Sequence, residues 1–207
     1  MSGLDRIRRA EPADSLAIAG LHGREIPWGL LSQLGVAFVA TFYQALLASP
    51  QGFAFVAERD GRIVGFASGV LDWRAFYREF VRRHLTLAVR VFLAGFRRDR
   101  WRRLLETSRY AASGALPPAE LIAIALEPEA RGSGISGELV RHVLTEFAAR
   151  HVLAVRVTAG GENTPANRLY ERMGFRLHSF MEIHPGEQAA VYVIALPPGA
   201  VRHAVPS

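Results

Sequence analysis

The passage that most restricts how this chain can fold is a short apolar strand that ends in a glycine turn and opens a helix. Leu121-Ile122-Ala123-Ile124-Ala125-Leu126 is followed by Glu127-Pro128-Glu129-Ala130-Arg131-Gly132-Ser133-Gly134-Ile135-Ser136. Leu139, Val140, Val143, Leu144 and Phe147 then recur at helical spacing as far as Arg150. A run this short, stopped by a proline, reads as a buried strand, and the recurrence reads as a helix laid on one face of a sheet. The first N–H groups of such a helix lack partners and carry partial positive charge. Gly132 and Gly134 let the backbone turn those groups inward and Arg131 adds a full charge, so 131–136 suits an anion such as a diphosphate. An ordinary strand-to-helix turn, with glycine only relieving sterics, accounts for the same residues. A dinucleotide fingerprint fits worse, because its third glycine is missing.

The rest of the chain supplies a sheet for this unit. Leu4–Arg9 alternates as a first strand, and Glu11-Pro12-Ala13-Asp14 starts a helix continued by Leu16, Ile18, Ala19 and Leu21. Pro27-Trp28-Gly29 interrupts it, and a second helix is predicted from Gly35 to Leu47. Phe53–Glu58 and Arg62–Val70 flank Asp60-Gly61, a strong hairpin signal. Trp73 to Glu106 reads as one or two basic amphipathic helices closed by Pro117-Pro118. After the glycine turn and its helix, Val152–Thr158 is a valine-rich strand and Pro165–Met173 a short helix capped by Gly174. Arg176–Ile183 and Ala189–Leu196 are the last strands, with a loose tail from Pro197.

Composition narrows the chemistry. With 207 residues, half of them hydrophobic, the chain can bury the core of one domain. Cysteine is absent, which removes disulfides, thiolate metal sites and thiol nucleophiles together. The seven histidines show neither metal spacing nor a carboxylate partner, so no metal is expected. No apolar stretch fits a signal peptide or a membrane span, and a cytoplasmic protein is the expectation. All 25 basic residues are arginine, and 11 of them fall between Asp72 and Tyr110 against four acids, leaving the remainder near neutral.

The segment from Glu127 to Val140 resembles the acetyl-coenzyme A signature of the GCN5-related N-acetyltransferases (GNAT), Gln/Arg-x-x-Gly-x-Gly/Ala, here Arg131-Gly132-Ser133-Gly134-Ile135-Ser136. Ser136 departs from the usual Gly or Ala; being small and a good N-cap, it is expected to preserve the loop. Asn163-Thr164-Pro165-Ala166-Asn167-Arg168-Leu169-Tyr170-Glu171-Arg172-Met173-Gly174-Phe175 resembles the family's second signature, and the order β-α-α-β-β-(insertion)-β-α-β-α-β-β is similar to the family's own. The resemblance implies an α/β (α+β) GNAT fold: a central mixed, mostly antiparallel sheet flanked by helices, with a helical insertion between strands 3 and 4. It implies one domain over 1–207, with a core at about 4–196, the insertion at about 73–118 and the tail at 197–207.

It further implies an acetyl-CoA-dependent N-acetyltransferase working by direct attack in a ternary complex. At pH 7 a lysine-like amine costs roughly 4.6 kcal/mol to deprotonate, and a thiol leaving group lies within roughly 2 kcal/mol of neutrality, so activating the amine is the larger problem. By resemblance Tyr170 protonates the departing thiolate, Asn163 and the backbone around Leu126 hold the pantetheine arm, and Arg131, Gly132, Ser133, Gly134, Ile135 and Ser136 hold the diphosphate. An aromatic packing its helix and a turn-forming Asn are the plainer readings of Tyr170 and Asn163. Glu120 matches the strand start where histone-type members place a catalytic glutamate, and an exposed strand-end carboxylate is the other reading. Glu25 is a second candidate base, near the Pro27-Trp28-Gly29 loop that by resemblance borders the acceptor, and water relays are a third route.

The acceptor stays open between an amino sugar or other small-molecule amine and a protein N-terminus or lysine. A catalytically silent acyl-CoA-binding module is the competing class. The arginine-rich insertion reads as a lid over an anionic acceptor, as a surface for peripheral contact with anionic lipid, or as a solvated helical face. No nucleic-acid motif accompanies it, so no nucleic-acid partner is expected. A homodimer is common for such folds.

Overall fold

The computed structural model describes residues 6–27, 30–84, 116–184 and 187–197. Its strands are β1 (Arg6–Arg9), β2 (Gly52–Arg59), β3 (Arg62–Val70), β4 (Ala119–Leu126), β5 (Ala154–Gly160), β6 (Arg176–His184) and β7 (Glu187–Ala195). The described helices are α1 (Ser15–Glu25), α2 (Leu30–Gln33), α3 (Val36–Ala48), α4 (Trp73–Arg83), α5 (Ile135–Ala149) and α6 (Thr164–Arg172). Most of the predicted insertion, its arginines from Arg90 onward, and the tail beyond Pro197 lie outside the described residues, as do Trp28 and Gly29.

Seven strands form one mixed sheet in the order β1-β2-β3-β4-β5-β7-β6. Every neighbouring pair is antiparallel except β4 and β5. The hairpin predicted at Asp60-Gly61 is present, with both residues at positive φ (50° and 75°) as a type I′ turn requires. Two cores sandwich the sheet. On one face Leu139, Val140, Val143 and Phe147 of α5 and Leu169 and Tyr170 of α6 pack on Phe53, Leu121, Val155 and Val157. On the other, Ile18 and Leu21 of α1 and Val39, Phe42 and Leu46 of α3 pack on Val56, Phe66, Ala123 and Ala125.

Two local features of β4 position the site. Its register with β3 shifts between Ser68 and Gly69, which leaves Ile122 as an extra residue. Ala119 and Leu121 therefore face α5, Ile122 and Ala123 both face α1 and α3, and alternation resumes with Ile124. The parallel pairing with β5 covers only Ala119–Val155, Glu120–Arg156 and Leu121–Val157. Beyond these positions each strand keeps its outer neighbour, β3 or β7, and the two part from each other.

Several boundaries differ from those read from sequence. The fifth strand begins at Ala154 instead of Val152, because the Val152 N–H closes the end of α5 on the Phe147 carbonyl at 3.0 Å. Helix α5 begins at Ile135 and its N-cap is Gly134, whose carbonyl accepts from the N–H groups of Gly137 and Glu138. Ser136 is thus the second helical residue and not the cap. Helix α2 is an addition to the expected elements; the sequence shows only an interruption around Pro27.

Candidate functional site

The glycine turn lies at the end of β4, beside the parting strands. Gly132 and Gly134 adopt left-handed conformations (φ 76° and 88°), a region that L side chains rarely enter. The hydroxyl of Ser133 donates to the Ala130 carbonyl at 2.6 Å, which fixes the loop internally. Among the described residues the N–H groups of Gly132, Ser133, Gly134, Ile135 and Ser136 donate to no protein acceptor. Five consecutive amides without a protein acceptor, at the start of a 15-residue helix, are donors available to an anion.

The charge beside the turn is already partnered. Arg131, 58% exposed, forms an ion pair with Glu25 at the end of α1, whose side chain is only 13% exposed. Glu25 therefore reaches from the α1 face of the sheet around the end of β4 to the turn. Neighbouring Glu127 accepts from Arg24 at 3.1 Å, and a cavity of about 550 Å³ lies between the α1 end, the β2–β3 hairpin and residues 127–130.

Glu120 sits elsewhere, at the closed end of the β4–β5 junction. It is not an exposed strand-end carboxylate. Its Oε2 accepts from Nε and Nη2 of Arg156 at 3.0 and 2.8 Å, and the two side chains are 15% and 3% exposed. Burial pushes the Glu120 carboxyl above its ordinary range, and the Arg156 charge and hydrogen bonds pull against that. Val155 and Val157 face α5, so by alternation Arg156 and Glu120 belong to the α1–α3 face.

Asn163 and Tyr170 belong to α6, the helix that follows β5. Asn163 caps α6, its side-chain oxygen accepting from the Ala166 N–H at 3.3 Å. The Tyr170 ring is buried against Phe175 and Tyr192, with centroids 5.7 and 6.1 Å away. Its hydroxyl has no protein partner among the described residues, yet is not among the sealed, unpaired polar atoms, so it opens onto free space. Burial raises the phenol above its ordinary value and keeps the proton on it at neutral pH. Arg131–Ser136 and Leu126 thus lie at the end of β4, Asn163 follows the end of β5 as the cap of α6, and Tyr170 lies further along α6, while Glu25 stands beside the turn and Glu120 near the start of β4.

Sequence reading misses three groups. Arg156 is the one charge in a valine-rich strand, and its register opposite Glu120 is the available signal. Asn167 donates to the Gly161 carbonyl at 3.1 Å and keeps a buried side-chain oxygen without a partner. His22 meets the Tyr43 hydroxyl at 2.7 Å inside the α1–α3 core, and its Nε2 is buried and unpaired. Desolvation pushes that imidazole down to about 4. Among the described residues no cluster of His, Asp and Glu could hold a metal, and no helix is long and apolar enough to cross a membrane.

The acetyltransferase (GNAT) family model matches residues 25–175. No curated protein matches the chain in sequence. Among solved structures, polyamine N-acetyltransferase from Drosophila melanogaster, described as forming N-acetylagmatine, superposes with a TM-score of 0.67 at 16% identity, over 93% of this chain and all of the other (100%). Ribosomal-protein-S18-alanine N-acetyltransferase from Escherichia coli gives 0.60 at 16% identity, over 98% and 100%. An N-acetyltransferase from Staphylococcus aureus gives 0.62 at 15% identity, over 93% and 99%. At these identities the likeness is one of fold.

Proposed function

The chain belongs to the acetyltransferase (GNAT) family, and from that membership we propose that it moves an acetyl group from acetyl-coenzyme A to a primary amine by direct attack in a ternary complex. The observation that carries this reading is the row of five unpartnered amides from Gly132 to Ser136. Acetyl-coenzyme A, when bound, supplies an activated thioester. The amides and Arg131 hold its diphosphate, and the parting of β4 and β5 offers unpaired strand edges, near Leu126 and Asn163, for the amide groups of its pantetheine arm.

Two kinds of group serve the reaction. Tyr170 keeps its proton at neutral pH and directs it into the space where thiolate charge develops. Because its proton is held more tightly than a thiol's, its part is to stabilise that charge by hydrogen bonding and to release the proton late. Glu120 and Glu25 are the carboxylates on the amine side. Glu120, raised by burial but held and opposed by Arg156, acts only if the amine displaces that pair, whereas Glu25 is the more accessible carboxylate.

The acceptor is a primary amine. The solved proteins that share the fold carry the names of polyamine, agmatine and a ribosomal-protein alanine as their subjects. Agmatine, spermidine, an amino sugar and a peptide beginning with alanine therefore make the first panel. Incubation with acetyl-coenzyme A should release thiol with at least one of them, and calorimetry should show coenzyme binding; a folded sample that gives no heat sinks the reading. Tyr170→Phe should lower kcat about ten- to a hundredfold with unchanged coenzyme affinity. An unchanged rate removes Tyr170 from the mechanism.

A further inference from the structure

The ion pair between Glu25 and Arg131 joins two places that the reaction needs separately. On the reading above, Arg131 belongs to the turn for the diphosphate and Glu25, at the end of α1, stands on the amine side; the structure joins the two residues in an ion pair. We propose that the two sites are coupled through exchange at Arg131: a diphosphate on the turn takes the guanidinium, and the Glu25 carboxylate is released toward the incoming amine. This inference rests on the coenzyme reading above and deepens it, by giving the order in which the site becomes competent.

The physical reason is competition for one cation. A guanidinium presents its donors in a planar fork suited to one carboxylate or one phosphate edge at a time. Arg131 is more than half exposed, so its pair with Glu25 is screened and weak, and a polyanion held in addition by five amides outcompetes a lone carboxylate. Glu25 is mostly buried and has no other ion-pair partner among the described residues, so once released it favours a cationic or hydrogen-bond-donating group arriving beside it, which an amine provides. Linkage makes the effect reciprocal: whatever the coenzyme does for amine binding, a bound amine does for coenzyme binding. Glu25 thereby acts as a positioning residue for the amine, which the coenzyme makes available.

The test needs no knowledge of the acceptor. Coenzyme A is titrated by calorimetry into the wild type, Glu25→Gln, Arg131→Gln and the double variant. Glu25→Gln should bind coenzyme A about two- to fivefold more tightly, the size of a lost exposed ion pair. In the Arg131→Gln background the same change should have no effect. Equal tightening in both backgrounds would mean plain repulsion between Glu25 and the phosphates, and would overturn the exchange; so would an unchanged or weaker affinity in Glu25→Gln. As a second measurement, carbodiimide labelling of carboxylates, mapped by mass spectrometry, should increase at Glu25 on adding coenzyme A. Glu146, held by Arg9 and Arg150 at the far end of α5, is the internal reference. Labelling that stays constant or falls at Glu25 refutes the release. If the wild type binds no coenzyme A, the coenzyme reading fails; if it binds and the cycle is flat, this inference alone fails.

Discussion

A carboxylate–arginine pair at the start of β4, Glu120–Arg156, and one beside the turn that follows it, Glu25–Arg131, are opposite in character. At the closed end Glu120 and Arg156 face each other across the parallel register, almost sealed from water. At the open end Glu25 and Arg131 meet beside the glycine turn with the guanidinium in solvent. The chemical groups are the same, but their surroundings give them different uses. A buried pair is held by the penalty of exposing either charge alone to an apolar interior, so it acts as a fixed clamp. An exposed pair has water as an alternative partner and exchanges readily.

The sharpest way to break this contrast is Arg156→Met. It leaves Glu120 buried without its counter-charge and should cost about 3–5 kcal/mol of stability in a urea titration. A loss below about 1 kcal/mol would show that the closed end behaves like the open one. A second buried ionisable group tests the same rule without a counter-charge. The folded His22 imidazole lies near 4 and its unfolded value near 6.5, so the unfolded chain binds the proton first. Its contribution is complete above pH 6.5 and is lost as pH falls toward 4, about 2 kcal/mol by pH 5. Urea midpoints at pH 7 and 5 should show this slope in the wild type and a shallower one in His22→Gln; equal slopes would contradict the desolvation of His22.

At the open end backbone conformation outweighs charge. Gly134→Val forces a β-branched residue into φ 88°, a cost of about 1–3 kcal/mol that falls on the turn itself. No atom lies within 4 Å of the added Cβ, so the loss should appear as weaker acetyl-coenzyme A binding, at least tenfold by calorimetry, with little change in the core. Normal affinity would mean that the turn does not need the left-handed residue. The smallest effect belongs to Arg131→Gln, which should change stability by less than about 1 kcal/mol in the same urea assay. A larger loss would place this pair with the buried class.

Much of the frame is legible in the sequence because its signals are local. The Asp60-Gly61 hairpin, the apolar stripe of α5 and the two glycine-bearing turns depend on neighbours within a few residues, and each stands where the sequence puts it. The features that escape such reading depend on pairing across long separations. Glu120 reads either as a base or as an exposed strand-end carboxylate because nothing near it in sequence announces Arg156. The free charge expected at Arg131 is bound by a residue 106 positions earlier. Ser136 looks like a cap because serine favours that position, whereas Gly134, already in a left-handed conformation, supplies the cap carbonyl. The bulge at Ile122 leaves no compositional mark at all.

The short seam between β4 and β5 has a consequence for the chain in solution. Past Leu121 the sheet possesses an edge in its own middle, with main-chain donors and acceptors directed at no strand. Edges of that kind invite extended segments from other molecules, and ordinary sheets protect them at their rims with charge or bulges. Here the rim is interior, so a pantetheine arm bound as proposed above would cover it and join the β1–β4 half to the β5–β7 half.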